Sequence, residues 1–308
     1  MLFKYWSEIW LNNLQVNSLK PKTYEVYTAI INNHLLPYFK EYEMNNININ
    51  NINSYIALKK KTLTNTTLNL HIALIKQMFK SAFENEVITN NKLANIKRLK
   101  NDEKEITSFS ITDEKKLINY CINSNKDYKY FGIILSFCTG LRIGELLALT
   151  WDDIDFKNKT IFINKSISRA KVNGIYQNIT TVPKTSKSKR IIPISNQLTI
   201  LLKKLKIKHI SDYVVSTKDG NQMLTRTYQH IFNRLEKKVG VNKILNFHSI
   251  RHTFATRAIE SGMDIKTLSE ILGHSSTTIT LNRYVHSMFE TKKKAMEKLS
   301  KVIDLHSA

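Results

Sequence analysis

Cysteine is nearly absent: the 308 residues hold only Cys121 and Cys138, with no metal-ligand spacing around them. That argues against a disulfide framework and for a reducing compartment, the cytosol. Long apolar runs are missing too. The longest, Tyr130 to Trp151, is broken in mid-span by Arg142 and Glu145, where charge is expensive in lipid, so no membrane span is expected. The opening stretch, Met1 to Leu14, alternates charge and aromatics and lacks the apolar region and small-residue cleavage site of a secretory signal. Acidic residues are scarce, 25 Asp and Glu against 47 Lys and Arg, giving a formal charge of +22. Such an excess favours a polyanionic partner, whether DNA, RNA or an acidic membrane surface, and says little about fold. There is no Walker loop, no carboxylate cluster suited to Mg²⁺ and no internal repeat.

What is present suffices for packed cores. Hydrophobic residues make up 42% of the chain, and its length exceeds the usual single domain, so two domains are expected. From Lys22 to Phe39, residues Tyr24, Tyr27, Ile30, Ile31 and Leu35 fall at helical spacing, with Pro21 suited to a first turn. A second long helix is expected over Thr66 to Val87, through Leu70, Leu74, Met78, Ala82 and Phe83, and shorter ones near Phe3 to Leu14 and Ser54 to Lys59. Residues 1–103 therefore read as a small helical bundle. The Asn-rich run Asn45 to Asn53 reflects the codon bias of an AT-rich genome and is given no function.

Leu99 to Ser110 is polar and without apolar periodicity, which places an interdomain boundary near Glu103. Residues 1–103 carry a charge of +5 and residues 104–308 a charge of +17, so the positive charge concentrates in the second domain. There, helices are expected at Thr112 to Asn123, Tyr128 to Cys138 and Arg142 to Leu149. β-Branched strands follow at Thr160 to Ile167, Ile175 to Val182 and Arg190 to Ile194, forming one small antiparallel sheet. Helices resume at Gln197 to Lys206, Thr225 to Val239, Ser249 to Glu260, Ile265 to Leu272 and Thr277 to Tyr284. From Val285 onward Met288, Ala295, Met296, Leu299, Val302 and Ile303 fall close to one stripe of a charged tail helix, a stripe that must be buried somewhere. The fold class is mainly α with a small antiparallel β-sheet.

Four segments carry chemistry: Thr139-Gly-Leu-Arg-Ile-Gly-Glu145, Pro183-Lys-Thr185, His248-Ser-Ile-Arg-His252, and Leu272-Gly-His274 followed ten residues later by Tyr284. Gly140 can take a left-handed conformation that ends one helix and throws Arg142 onto the first turn of the next, where Glu145 shares its face. An ordinary surface ion pair is the commoner fate of that spacing. His248 and Arg251, three apart at a helix start, point the same way, towards an end that favours anions. His252, offset from that face, suits packing. Asp264 is suited to cap the helix carrying Leu268, Ile271 and Leu272, and Gly273 to end it, which holds His274 at a turn; Ser275 or Ser276 can cap the helix leading to Tyr284.

The ordered set resembles the tyrosine recombinase (phage integrase) family across nearly the whole of residues 104–308, and the preceding bundle is similar to that family's core-binding domain. The resemblance implies a site-specific DNA recombinase that cuts and rejoins DNA through a 3′-phosphotyrosyl intermediate. By it, Tyr284 is the nucleophile, Arg142 and Arg251 grip the scissile phosphate, and Glu145 buttresses Arg142. His248 is the base, His274 donates a hydrogen bond to phosphate, and Lys184, with Lys187 as fallback, protonates the departing 5′ oxygen. No cofactor, metal or ATP is implied. The partners implied are double-stranded DNA with specific core sites, three further protomers in a tetramer, and an accessory directionality factor. The place implied is the bacterial or phage-host cytoplasm, on the nucleoid. Larger integrases of the family carry an arm-binding domain, whereas this sequence opens on what resembles the core-binding domain. The rival readings are a catalytically silent DNA-binding regulator of the same fold, disfavoured because all six positions hold competent chemistry, and a type IB topoisomerase-like enzyme, which relaxes DNA as a monomer. DDE-type transposases lack their carboxylates here, and nothing nominates a nucleophilic serine.

Overall fold

The computed structural model describes residues 1–16, 19–101, 107–124, 127–172, 175–181, 189–208, 210–274 and 276–284, with single positions between 293 and 300. It divides into two compact units, residues 1–104 with 170–177, and residues 105–169 with 178–308.

The first unit is helical: α1 (Phe3–Val16), α2 (Pro21–Ile30), α3 (Leu36–Phe39), α4 (Ile49–Lys59) and α5 (Asn65–Glu84). Phe3, Trp6 and Trp10 bury one face of α1, and the Trp6 indole donates to the carbonyl of Met78 at 3.1 Å. The single helix expected over Lys22 to Phe39 is continuous in path but passes through a π-helical turn at Ile31–Leu35. Pro37, lacking an N–H and clashing with the preceding turn of a regular helix, accounts for the wider turn there. Helix α4 begins five residues before the expected Ser54. Asn48 accepts hydrogen bonds from the backbone of Asn50 (2.9 Å) and Asn51 (3.2 Å), and the Asn51 side chain answers to the Asn48 N–H at 2.9 Å. The Asn-rich run therefore carries a capping box. On α5 the buried stripe is Leu68, His71, Ile72, Leu74, Ile75, Met78, Phe79 and Ala82, whereas Leu70 and Phe83, expected inside, are exposed.

The second unit contains α6 (Ile111–Asn123), α7 (Asp127–Thr139), α8 (Ile143–Ala148), α9 (Asn196–Lys208), α10 (Thr225–Val239), α11 (His248–Glu260), α12 (Ile265–Leu272) and α13 (Thr277–Tyr284). Helix α7 is its axis: Ile133, Leu135, Ser136 and Thr139 are fully buried, and α6, α9 and α11 pack around it. The strands are β1 (Ile154–Asp155), β2 (Thr160–Ile163), β3 (Ser166–Val172), β4 (Ile175–Thr181) and β5 (Arg190–Pro193). They form two sheets, β1-β2-β5 and β3-β4, and not the one expected. The strand expected to run unbroken from Thr160 to Ile167 breaks at Asn164-Lys165. There Lys165 Nζ meets Asp153 Oδ2 and Thr150 Oγ1, each at 2.8 Å, and Asn164 donates to Asp153 at 3.4 Å. Recruiting both side chains to the buried Asp153 turns the chain out of the first ladder. Among the described residues, no helix is long and apolar enough to cross a membrane.

Candidate active site

The site is organised by the C-terminal end of α12. Asp264 caps its start, accepting from the Thr267 N–H at 2.9 Å, and Gly273 ends it in the left-handed region, φ 63°. The turn pairs Gly273 N–H with Glu270 O and His274 N–H with Ser269 O, both at 3.0 Å, leaving the last carbonyls without helical donors. Three arginines from three other elements supply them. Arg190, opening β5, donates Nε to Ile271 O (2.6 Å); Arg251 on α11 donates Nη2 to Leu272 O (2.6 Å); and Arg142 reaches Leu272 O and Gly273 O, both at 3.3 Å. The negative end of the helix dipole thus offsets part of the repulsion among three clustered cations.

Glu145 offsets more of it. Arg142 precedes α8 in an extended conformation, one residue short of the expected first turn, and Glu145 accepts its backbone N–H at 3.0 Å. The carboxylate also binds Arg142 Nη1 at 2.8 Å and forks with Arg190, whose Nη1 and Nη2 lie 3.1 and 2.8 Å from its two oxygens. This is no solvated surface pair, since Glu145 is only 7% exposed. Burial works against its charge, but the hydrogen bonds and charge of Arg190, and then the charge of Arg142, outweigh burial and hold the carboxyl at about 2.

Gly140 ends α7 at φ 65°, and a Cβ there would meet the Phe254 ring at 2.5 Å; its carbonyl accepts Arg251 Nη1 at 2.9 Å. Arg251, 2% exposed, is thereby fixed on both sides. His248 and Arg251 lie in the first turn of α11, as expected, but differ in burial: His248 is exposed, its ring 4.7 Å from and perpendicular to that of His252. Ile250 and Ala258 are buried on the same helix, as expected. His274 Nδ1 lies 2.7 Å from Oγ1 of the fully buried Thr280, which fixes the ring. Thr280 stands on α13, one turn before Tyr284, so the helix bearing the expected nucleophile also orients His274. Ser276 precedes that helix and accepts from Thr278 N–H at 3.2 Å.

Arg142, Glu145 and Arg251 therefore converge on the end of α12, from which His274 follows directly. Tyr284 is placed by its backbone as the last residue of α13. Pro183, Lys184, Thr185 and Lys187 lie outside the described residues. Sequence reasoning missed Arg190 and Thr280. For Arg190 a signal existed: burial alternates along β5, and Arg190 shares the inward face of Ile192, so period two pointed it at the core. A cavity of about 540 Å³ opens beside it, lined by Lys189, Lys266, Gly273, His274 and Thr277. Among the described residues no group of three or more His, Cys, Asp and Glu side chains could hold a metal ion.

The fold is that of integrases. The Tn1549 transposon integrase, solved in complex with a circular intermediate DNA, superposes with a TM-score of 0.80 at 23% identity, over 96% of this chain and 99% of that one. A lambda integrase tetramer bound to a Holliday junction superposes with a TM-score of 0.69 at 20% identity, over 90% and 79%. In sequence, residues 107–291 match the phage integrase family and residues 2–57 match the phage integrase N-terminal SAM-like domain. The tyrosine recombinase XerC-like protein of Caldanaerobacter subterraneus subsp. tengcongensis is 32% identical over 327 aligned positions, covering 94% of this chain and 81% of that protein. The chain belongs to the phage integrase family and is a tyrosine recombinase.

Proposed function

We propose that this recombinase breaks and rejoins double-stranded DNA at specific core sites by attack of Tyr284 on a phosphodiester, giving a 3′-phosphotyrosyl link and a free 5′-hydroxyl. The observation that carries the proposal is the convergence of Arg142, Arg190 and Arg251 with Glu145 on the end of α12, beside His274. Phosphoryl transfer is mostly positioning and charge stabilisation, and a preorganised set of guanidiniums suits a phosphate gaining charge. Arg142, the most exposed of the three with 39% of its side chain accessible, and Arg251 grip the non-bridging oxygens, with Glu145 holding Arg142. His274 donates to the same phosphate. His248 takes the phenol proton, since a phenol of pKa near ~10 is a weak nucleophile at neutral pH. Lys184, or Lys187 in its place, protonates the departing 5′ oxygen. Attack by a partner strand's 5′-hydroxyl reverses these steps, so the bond energy is kept. Residues 1–103 act as the core-binding domain and residues 104–308 as the catalytic domain, with an accessory factor setting direction.

A nicked suicide substrate tests this. It is expected to trap a covalent protein–DNA adduct on a denaturing gel, in EDTA as well as without it, because side chains supply the positive charge. Loss of the adduct in EDTA and its return with Mg²⁺ would overturn the mechanism.

Recombination needs four such protomers, and the tail segment is proposed to dock on the neighbouring protomer, closing a ring of heterologous contacts. Two members of its apolar stripe, Met296 and Leu299, are 64% and 47% exposed on the single chain, which supports a partner for that face. Truncation after Ser287 is expected to leave single-site binding intact while lowering synaptic complexes and recombination together. Normal tetramers and recombination from the truncated protein in a two-site gel assay would rule the docking out.

A further inference from the structure

The structure assigns to Arg190 the role of a positioning residue: through Glu145 and the end of α12 it fixes the orientation of Arg142, and through Arg142 the grip on the phosphate. The inference rests on the proposed role of Arg142 and adds a residue to it. The bonds that Arg190 makes are to protein groups. Its side chain is 5% exposed, its Nε is given to Ile271 O, and both Nη atoms are given to the Glu145 carboxylate. A buried guanidinium with those three bonds locks two elements together, strand β5 and the α12 terminus, with Glu145 of α8 held between them.

The geometry explains why this reaches Arg142. Glu145 Oε1 is shared by Arg142 Nη1 at 2.8 Å and Arg190 Nη1 at 3.1 Å, while Oε2 is shared by the Arg142 backbone N–H at 3.0 Å and Arg190 Nη2 at 2.8 Å. One carboxylate thus holds Arg142 at its backbone and its guanidinium, and among the described residues Arg190 fixes the carboxylate from the far side. The carbonyls that Arg142 reaches, Leu272 and Gly273, follow directly on Ile271, which Arg190 holds. Gly273 completes the fit, since a Cβ there would stand 3.0–3.2 Å from the Arg190 guanidinium. Without Arg190, Glu145 would be a buried carboxylate with one cationic partner among the described residues, free to swing or to take a proton.

The other charged groups beside this assembly are Arg251, which shares Leu272 O with Arg142, and Lys189, Lys266, Glu270 and His274 around the adjoining cavity. Of the residues named, only Arg142 and Arg190 bond the Glu145 carboxylate directly. Removing Arg190 leaves the desolvation of Glu145 in place and takes away its largest opposing influence, so the carboxyl binds a proton at a higher pH than in the wild type.

The test measures single-turnover cleavage of a suicide substrate by Arg190→Gln, Glu145→Gln and the double variant across pH, with site binding and thermal unfolding alongside. Arg190→Gln is expected to bind its site but cleave about 10-fold to 10²-fold more slowly, the scale of a misplaced catalytic group. Its rate should fall further on the acid side, where the wild type keeps its rate, and that fall should vanish in the double variant. The double variant should be no slower than the worse single one, as for residues acting in one unit. A role in stability alone would lower the unfolding midpoint without a new acid limb, and would overturn the inference. So would additive losses. Should Arg190→Gln not fold, Arg190→Lys carries the test, because an ammonium keeps the charge but not the three-way fork; wild-type cleavage by it refutes the assignment. Arg142→Lys in the same assay separates the two readings: normal cleavage by that variant removes the phosphate grip itself, whatever Arg190 does.

Discussion

Tyr284→Phe is expected to bind its core site as the wild type does and to form no covalent adduct at all. The substitution removes one oxygen from the last residue of α13 and leaves the ring, so site binding is expected to persist while the atom proposed to attack the phosphate is gone. A nicked substrate resolved on a denaturing gel reads the result directly. Persistent adduct would mean a different nucleophile. Tyr213 would be tested next, whereas Tyr228 offers little competition. Tyr228 is fully buried, with its phenol pushed well above the ordinary value by desolvation, and it fills the core between α7 and α10. Salt should act on binding and not on this distinction: affinity falls steeply with added salt for wild type and variant alike, as phosphate contacts release counterions.

Replacing Arg142 or Arg251 by Lys is expected to slow cleavage by about 10² or more, the usual loss when a charge-stabilising donor is removed, although each variant keeps its positive charge. The two should fail for different reasons. Arg142 binds Glu145 and two carbonyls with its two Nη atoms while keeping 39% of its side chain accessible; a lysine can satisfy Glu145 or a carbonyl, and not these together with a phosphate. Arg251, buried at 2%, bridges Gly140 O and Leu272 O across residues 111 and 21 positions away in sequence. Leu272 O keeps the 3.3 Å bond from Arg142, so the loss falls on Gly140 O, and Arg251→Lys should also lower the unfolding midpoint where the ammonium does not reach it, by the loss of about 1–3 kcal/mol attending an unsatisfied buried group. Cleavage near the wild-type rate in both variants, measured in a single turnover, would remove the phosphate-clamp reading.

The turns and helix ends that position the candidate site were legible because their signals are local. Gly140 and Gly273 mark left-handed helix ends, Asp264 and Ser276 mark starts, and the three-residue spacing of Arg142 and Glu145 lets the carboxylate reach back to the residue before the helix, although not as two members of one helical face. Apolar periodicity found most helices within a residue or two, because 3.6-residue repetition needs only neighbours. It failed where a nearby rule was overlooked: the Asn48 capping box hidden in an Asn-rich run, and the π turn before Pro37.

Other outcomes depended on partners far along the chain. Whether Leu70 and Phe83 faced in or out, and whether the strands made one sheet or two, was set by what packed against α5 and by the recruitment of Asn164 and Lys165 to Asp153. The clearest case is the arginine cluster. Period two could point Arg190 inward, but nothing local says that Glu145 will bond an arginine 45 positions away as well as the one three positions before it. The end of α12 joins Arg142 from 130 positions away, Arg190 from 81 and Arg251 from 21. Residue types and local turns were thus written in the sequence, whereas the choice of which carbonyl each guanidinium meets was made by packing. A buried cation must find a partner, and only the assembled core decides which partners are within reach.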